Sequence, residues 1–300
     1  MPQHLKPPFD RIVPKATSAL KRVPLVKQYV VNQQFRIERQ LIAHNHHTNC
    51  NHPSILHFSV NRAATQYVKS ILRRCAVVND LTNVRLHDYA FYCDIPYLNT
   101  LSREEMQSYV HLFKPHGYAY SVFGGMIEGI PQLDQYRTFL MVRDPRDILV
   151  SGYYAVAYSH INPGQTTKKR QFMALRQQAQ AMSLDDYARQ QCDRLYETFE
   201  RYQRLLVAPY SDVYITRFED MVSDFPEWLS ALLKYCKLDI SEQLYQTLVE
   251  EHVRKTPQTE NIQRHVRKGI VGDYLEKLHP STIEHVQTKC DKILSNFNYN

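Results

Sequence analysis

The chain has 300 residues, 43% of them hydrophobic and 22% charged, with 37 Lys plus Arg against 30 Asp plus Glu. A chain of that length buries roughly three quarters of the surface it exposes unfolded, which excludes a disordered or low-complexity protein and allows one large α/β domain. The net charge of +7 and 14 histidines favour an anionic partner, and no apolar run approaches the ~20 residues of a membrane span, so the expectation is a soluble, cytoplasmic protein.

Residues 1 to 50 are basic and irregular, with Pro2, Pro7, Pro8, Pro14 and Pro24, and read as an N-terminal arm packed on a domain spanning 51–300. The arm ends in a cluster holding His44, His46, His47, Cys50 and His52, whose spacing matches no zinc template; it reads as a polar loop, with no metal expected. The six cysteines stand apart without a Cys-x-x-Cys pair, and four occupy apolar positions of helical patterns, as reduced, buried thiols do.

Short apolar runs follow at 55–60, 84–86, 118–122, 138–142 and 213–218, each with the unbroken character of a strand covered on both faces. Between them lie helical spacings, Tyr67, Val68, Ile71, Leu72 and Cys75 in one, and Tyr187, Cys192, Leu195, Phe199, Tyr202 and Leu206 in another, the latter behind a capping sequence at Ser183. Alternating strands and helices predict a three-layer α/β fold, a mainly parallel sheet with helices on both faces.

In such a sheet, anions bind where a strand's carboxyl end delivers the N-terminus of the next helix. The first such junction is Asn61-Arg62-Ala63-Ala64-Thr65-Gln66, where small side chains admit backbone amides, Arg62 offers charge-assisted contacts and Thr65 a hydroxyl. The glycine-lysine signature of a nucleoside-triphosphate loop is absent. The second is Arg143-Asp-Pro-Arg-Asp147, read as a rim turn whose charges stand where an anion docks, with the helix running from Ile148 and Ser151 about one turn along it. Pairing of Arg143 with Asp147 alone is the plainer alternative. A third cluster, Arg264, Arg267, Lys268, Gly269, Gly272 and Asp273, offers a late cationic grip.

Taken together these motifs resemble the sulfotransferases that use 3′-phosphoadenosine 5′-phosphosulfate (PAPS). That family carries Pro-Lys/Arg-Ser-Gly-Thr-Thr after the first strand, Arg-(Asn/Asp)-Pro-(Lys/Arg)-Asp with a serine eight residues after the leading arginine, Tyr-Glu-Asp at a later strand end, and Arg-Lys-Gly-x-x-Gly-Asp near the C-terminus. Here the second and last stand in full, Arg217-Phe218-Glu219-Asp220 resembles the third, and order and spacing agree over residues 55 to 275. The resemblance implies a P-loop-like sulfotransferase fold, PAPS as co-substrate without a metal, and in-line sulfuryl transfer to a hydroxyl or amine. It implies Arg62, Ala64, Thr65 and Gln66 around the 5′-phosphosulfate, Arg143 and Ser151 on the 3′-phosphate, Arg267, Lys268 and Gly269 closing over the nucleotide, and Tyr196 near the adenine.

In the first loop only Arg62 and Thr65 match the family pattern cleanly, and the Lys-Thr-His that follows the third strand in many relatives is missing: the stretch reads Gly117-Tyr-Ala-Tyr-Ser121. His87, after the second strand run, is therefore the expected base, with Asp88 as substitute and Arg62 assisting the leaving oxygens. The expected acceptor is a small molecule, a lipid or a carbohydrate, and no nucleic acid; Tyr89, Phe91, Tyr92, Tyr153 and Tyr154 are candidate walls for it, with core packing the alternative. Two rival readings are a non-catalytic nucleotide or nucleic-acid binder and a nucleotide kinase.

Overall fold

The computed structural model describes residues 30–93, 95–121, 123–160, 166–255 and 268–299. The chain divides into two units, residues 1–46 and 47–300. Of the first, residues 30–46 are described and carry a short helix, α1 (Arg36–Ile42); the five arm prolines fall outside the described residues.

The second unit is built on five parallel strands in the order β2-β3-β1-β4-β5: β1 (Ile55–Ser59), β2 (Thr82–Val84), β3 (Tyr118–Ser121), β4 (Arg137–Val142) and β5 (Tyr214–Arg217). Every residue of β1 and β3 is buried, which is why these runs carry no alternating polar positions. The central strand β1 aligns His57 with Ser121 of β3 and with Phe139 of β4. The expected three-layer fold is thus observed, and its parallel order places every strand's carboxyl end on one edge.

One face is covered by α2 (Thr65–Val77), α8 (Phe225–Cys236) and α9 (Glu242–Lys255), the other by α4 (Pro145–Tyr154), α6 (Leu184–Tyr202) and α10 (Pro280–Asn296). A seven-residue helix, α3 (Leu86–Tyr92), follows β2, α5 (Thr166–Gln180) precedes α6, and α7 (Phe218–Ser223) leads into α8. Local chemistry sets the helix starts. The Asp144 carboxylate accepts the Arg146 N–H at 2.8 Å ahead of Pro145, Ser183 Oγ accepts the Asp186 N–H at 3.0 Å, and Asp224 accepts the Glu227 N–H at 3.0 Å.

His57 stacks on Phe139 with ring centroids 4.5 Å apart and is fully buried. Burial, aided by the Lys69 ammonium, drives its pKa down to about 3, so it is a neutral core ring. All six cysteines are free thiols, and no described helix is long and apolar enough to cross a membrane.

Candidate active site

A cavity of about 1000 Å³ opens along the carboxyl edge of the sheet. The loop after β1 forms its floor. Arg62 and Ala64 there hold positive φ angles of 72° and 54°, and Ala64 is the N-cap of α2. The left-handed conformation turns the chain sharply enough to aim the first amides of α2 into the cavity, at a cost of about 1 kcal/mol for a residue with a Cβ. Replacing Ala64 by glycine is therefore expected to leave stability unchanged or raise it by up to about 1 kcal/mol, although alanine to glycine ordinarily destabilises. The urea midpoint measures this, and a loss above 1 kcal/mol would contradict a left-handed Ala64.

Thr65 Oγ1 hydrogen-bonds Ser59 Oγ at 2.9 Å, and Arg62 Nε donates to Ser151 Oγ at 3.1 Å, which joins the first loop to α4. Arg62, Ala64, Thr65, Gln66, Arg143, Ser151, Lys268 and Gly269 all line the cavity, as does His87. Arg267 lies outside the described residues.

The Arg-Asp-Pro-Arg-Asp segment departs from the expected exposed rim turn. Helix α4 already begins at Pro145, and all four charges are buried, with Arg143, Asp144, Arg146 and Asp147 exposed by 7%, 6%, 7% and 1%. Their partners come from distant parts of the chain. Arg146 forks onto Asp144, reaches the Tyr299 carbonyl at 2.8 Å and lies 4.4 Å over the Tyr274 ring. Asp147 accepts the N–H groups of Gly272 and Tyr274 at 2.9 and 3.1 Å; burial holds its carboxyl above the usual range despite Arg143 and these two amides. Gly272 sits at φ +76°, which turns its N–H inward.

Arg143 is the member that also lines the cavity. It pairs with Asp147 at 3.4 Å, donates to the carbonyls of Arg62 at 3.2 Å and Ile270 at 3.1 Å, and lies 4.2 Å over the Phe218 ring. The pairing anticipated as a plainer alternative exists, yet the Arg143 Nε is buried and has no hydrogen-bond partner among the described residues. Three of the five N–H groups of this cavity-lining guanidinium meet protein acceptors among the described residues, and a site with donors to spare suits an anion. Glu219 supports it from behind, accepting the Asp144 N–H and the Tyr299 hydroxyl at 3.0 Å each.

A model of the sulfotransferase domain family matches residues 52–298. The chain belongs to the sulfotransferase domain family. It is therefore an enzyme that moves a sulfuryl group from PAPS, and the kinase and non-catalytic binder readings fall away. No curated protein matches the sequence. Among solved structures, mouse sulfotransferase SULT7A1 complexed with PAP is similar at 13% identity, over 86% of this chain and 89% of that one, with a TM-score of 0.53. Sulfotransferase STF9 from Mycobacterium avium is similar at 9% identity over 91% and 82%, with a TM-score of 0.48. Retinol dehydratase in complex with retinol and PAP gives 13% over 81% and 82%, with a TM-score of 0.45.

Within this sulfotransferase, several expected residues stand elsewhere. Tyr196 does not line the cavity; its ring faces Lys289 of α10 at 6.0 Å, off the stripe that α6 presents to the site. The aromatic groups beside the donor grips are Phe218 and Tyr67, with His252, which stacks on Phe225 at 4.0 Å and hydrogen-bonds the Tyr67 hydroxyl at 3.1 Å. Neither Tyr67 nor His252 stood out in the sequence, although Tyr67 directly follows the phosphate loop. Tyr89, Phe91, Tyr92, Tyr153 and Tyr154 do not line the cavity either, and Tyr153 packs edge-on against Tyr154 and Tyr158.

His87 lies in the first turn of α3 rather than directly after a strand, because β2 ends at Val84. Its ring stacks on Tyr97 at 4.7 Å and packs so closely on Gly124, in the loop after β3, that a Cβ there would collide with it. Asp88 faces away, held by Lys69 at 2.8 Å and outside the cavity, so it is not a substitute base. Among the described residues no group of three or more His, Cys, Asp or Glu is arranged to hold a metal.

Proposed function

We propose that the cavity binds PAPS with its 5′-phosphosulfate on the loop after β1 and its 3′-phosphate on Arg143 and Ser151, and that His87 deprotonates the acceptor hydroxyl. The Arg143 guanidinium on the cavity wall with Ser151 carries this reading, because a 3′-phosphate can take up its unspent donors. Thr65 and the first amides of α2 face the 5′-phosphate, and Arg62 the bridging oxygen. Lys268 and Gly269, with Arg267 by resemblance, close over the nucleotide, and Tyr67 with His252 gives the adenine an aromatic wall.

The acceptor oxygen attacks sulfur as the bond from sulfur to the bridging phosphate oxygen breaks. Negative charge grows on the leaving phosphate, where Arg62 stabilises it, while the hydroxyl proton passes to the His87 imidazole. The products are a sulfate ester and 3′-phosphoadenosine 5′-phosphate (PAP). No metal or nucleic acid enters this reading. A cytoplasmic setting belongs to it as well, supported by six free cysteines.

Thermal unfolding with PAP, ADP and 5′-AMP tests the donor half. At a hundred times its dissociation constant PAP should add about 2.7 kcal/mol of stability, with far smaller effects from the other two. An equal response to ADP would remove the 3′-phosphate assignment. His87→Ala should lower kcat by about 10²-fold or more while keeping the PAP shift, and an unchanged kcat would move the base elsewhere.

A further inference from the structure

Outside the cavity lining, three side chains of the charged motifs converge on two residues that follow α10. Arg217 Nη1 donates to the Asn298 carbonyl at 3.0 Å, Arg146 Nη2 donates to the Tyr299 carbonyl at 2.8 Å, and Glu219 accepts the Tyr299 hydroxyl at 3.0 Å. The turn that delivers these two residues is set locally. Asn298 holds φ +57°, a value asparagine tolerates better than most residues, and the Tyr299 N–H returns to the Leu294 carbonyl at 2.8 Å. Tyr299 is buried there.

The contacts close into a ring. The Tyr299 hydroxyl donates to Glu219 Oε2, Glu219 Oε1 accepts the Asp144 N–H at 3.0 Å, the Asp144 carboxylate takes the fork of Arg146, and Arg146 returns to the Tyr299 carbonyl. Burial pushes the Glu219 carboxyl up, and the Asp144 amide, the Tyr299 hydroxyl and the Arg143 charge all oppose that rise. Charge-assisted bonds that reinforce one another around a closed path hold one arrangement rather than several.

One member of the ring is the peptide group that aims Arg143. Strand β4 ends at Val142, and the N–H held by Glu219 belongs to the peptide that joins Arg143 to Asp144. Phe218, the residue before Glu219, lies 4.2 Å from the Arg143 guanidinium. The backbone and the head of Arg143 are therefore both held by the first turn of α7, and Tyr299 holds that turn from behind.

We infer that Tyr299 is a positioning residue for recognition of the 3′-phosphate: through Glu219 and the Asp144 N–H it sets the pose in which Arg143 meets the nucleotide. This rests on the donor reading above. Tyr299 does not line the cavity, so any effect on the nucleotide passes through these intermediaries.

Titration calorimetry with PAP and with ADP on Tyr299→Phe tests it. The variant keeps the ring and the carbonyl that Arg146 uses, and removes the hydroxyl alone. PAP affinity should fall by about five-fold, in the range for a network substitution that does not touch the ligand, while ADP affinity stays within two-fold. A merely structural Tyr299 would lower Tm and leave the PAP-to-ADP ratio unmoved. Glu219→Ala should weaken PAP by about ten-fold, and Tyr299→Phe added to it should cost less than a further two-fold, because the hydroxyl then has no carboxylate to act through. An unmoved ratio in Tyr299→Phe, equal losses of PAP and ADP, or a full further five-fold loss in the double variant would each overturn the inference. Should Glu219→Ala fail to fold, the ratio in Tyr299→Phe decides alone. Arg143→Lys, measured alongside, separates the two readings. A selective loss of PAP there with an unmoved ratio in Tyr299→Phe overturns this inference and leaves the donor reading standing, whereas parallel losses in Arg143→Lys remove the 3′-phosphate assignment on which it rests.

Discussion

Asp147→Ala is expected to cost about 3–5 kcal/mol of stability, the penalty for removing one partner of a buried ion pair, and to lower Tm by on the order of 10 °C. The loss should exceed that of an ordinary surface carboxylate because three groups depend on this one. Arg143 would keep its charge in a buried setting without its 3.4 Å partner, and the Gly272 and Tyr274 amides would lose their acceptor at 2.9 and 3.1 Å. Burial already holds the Asp147 carboxyl above its usual range, so the pair itself gives little net stability; the penalty arises from what the truncation strands. Asp147→Asn, which retains one carbonyl acceptor, should cost clearly less. Urea unfolding of both variants decides the matter. A loss below 1 kcal/mol for Asp147→Ala would mean that the Gly272 loop is not anchored through this carboxylate.

The same residue shows where sequence reading stops. The sheet was legible because three of its strands, β1, β3 and β4, are apolar runs buried almost throughout, and a run of that kind needs no partner to be recognised. Strand β2 was displaced by two residues: with three residues, Thr82–Val84, it has no periodicity, and Leu86 belongs to α3. The charged segment after β4 was legible as an anion-binding junction by its residue types. Its burial was not, since Glu219, Ile270, Gly272 and Tyr299 reach it from far along the chain, and no local pattern encodes them. Tyr196 was misplaced for a simpler reason. On α6 the buried residues Ala188, Cys192, Phe199 and Tyr202 mark the core face, and the helical phase through Gln191, Arg194 and Thr198 marks the cavity face; Tyr196 lies on neither. Phe218, already inside the quoted Arg-Phe-Glu-Asp motif, does line the cavity.

Arg143→Lys gives the largest expected effect on function. It should weaken PAP binding by about 10²-fold, or ~2.7 kcal/mol, while leaving ADP affinity within two-fold. The charge is conserved, so an effect of this size requires the guanidinium's shape. In the wild type three of the five N–H groups are spent on the Arg62 and Ile270 carbonyls and on Asp147, and the plane rests 4.2 Å over Phe218, so the fork holds these partners with donors to spare for a ligand. An ammonium offers three donors around one atom. If it satisfies the carbonyls and Asp147 it has none left for a phosphate; if it turns to the phosphate, it abandons them. ADP has no 3′-phosphate and meets the cavity through the loop after β1, so its affinity reports whether the rest of the site survives. Titration calorimetry on both nucleotides gives the ratio directly. A selective loss of PAP affinity assigns the 3′-phosphate to Arg143. Parallel losses would show that Arg143 shapes the whole cavity, through its link to the Arg62 carbonyl, and would place the 3′-phosphate on Ser151 and Lys268 instead.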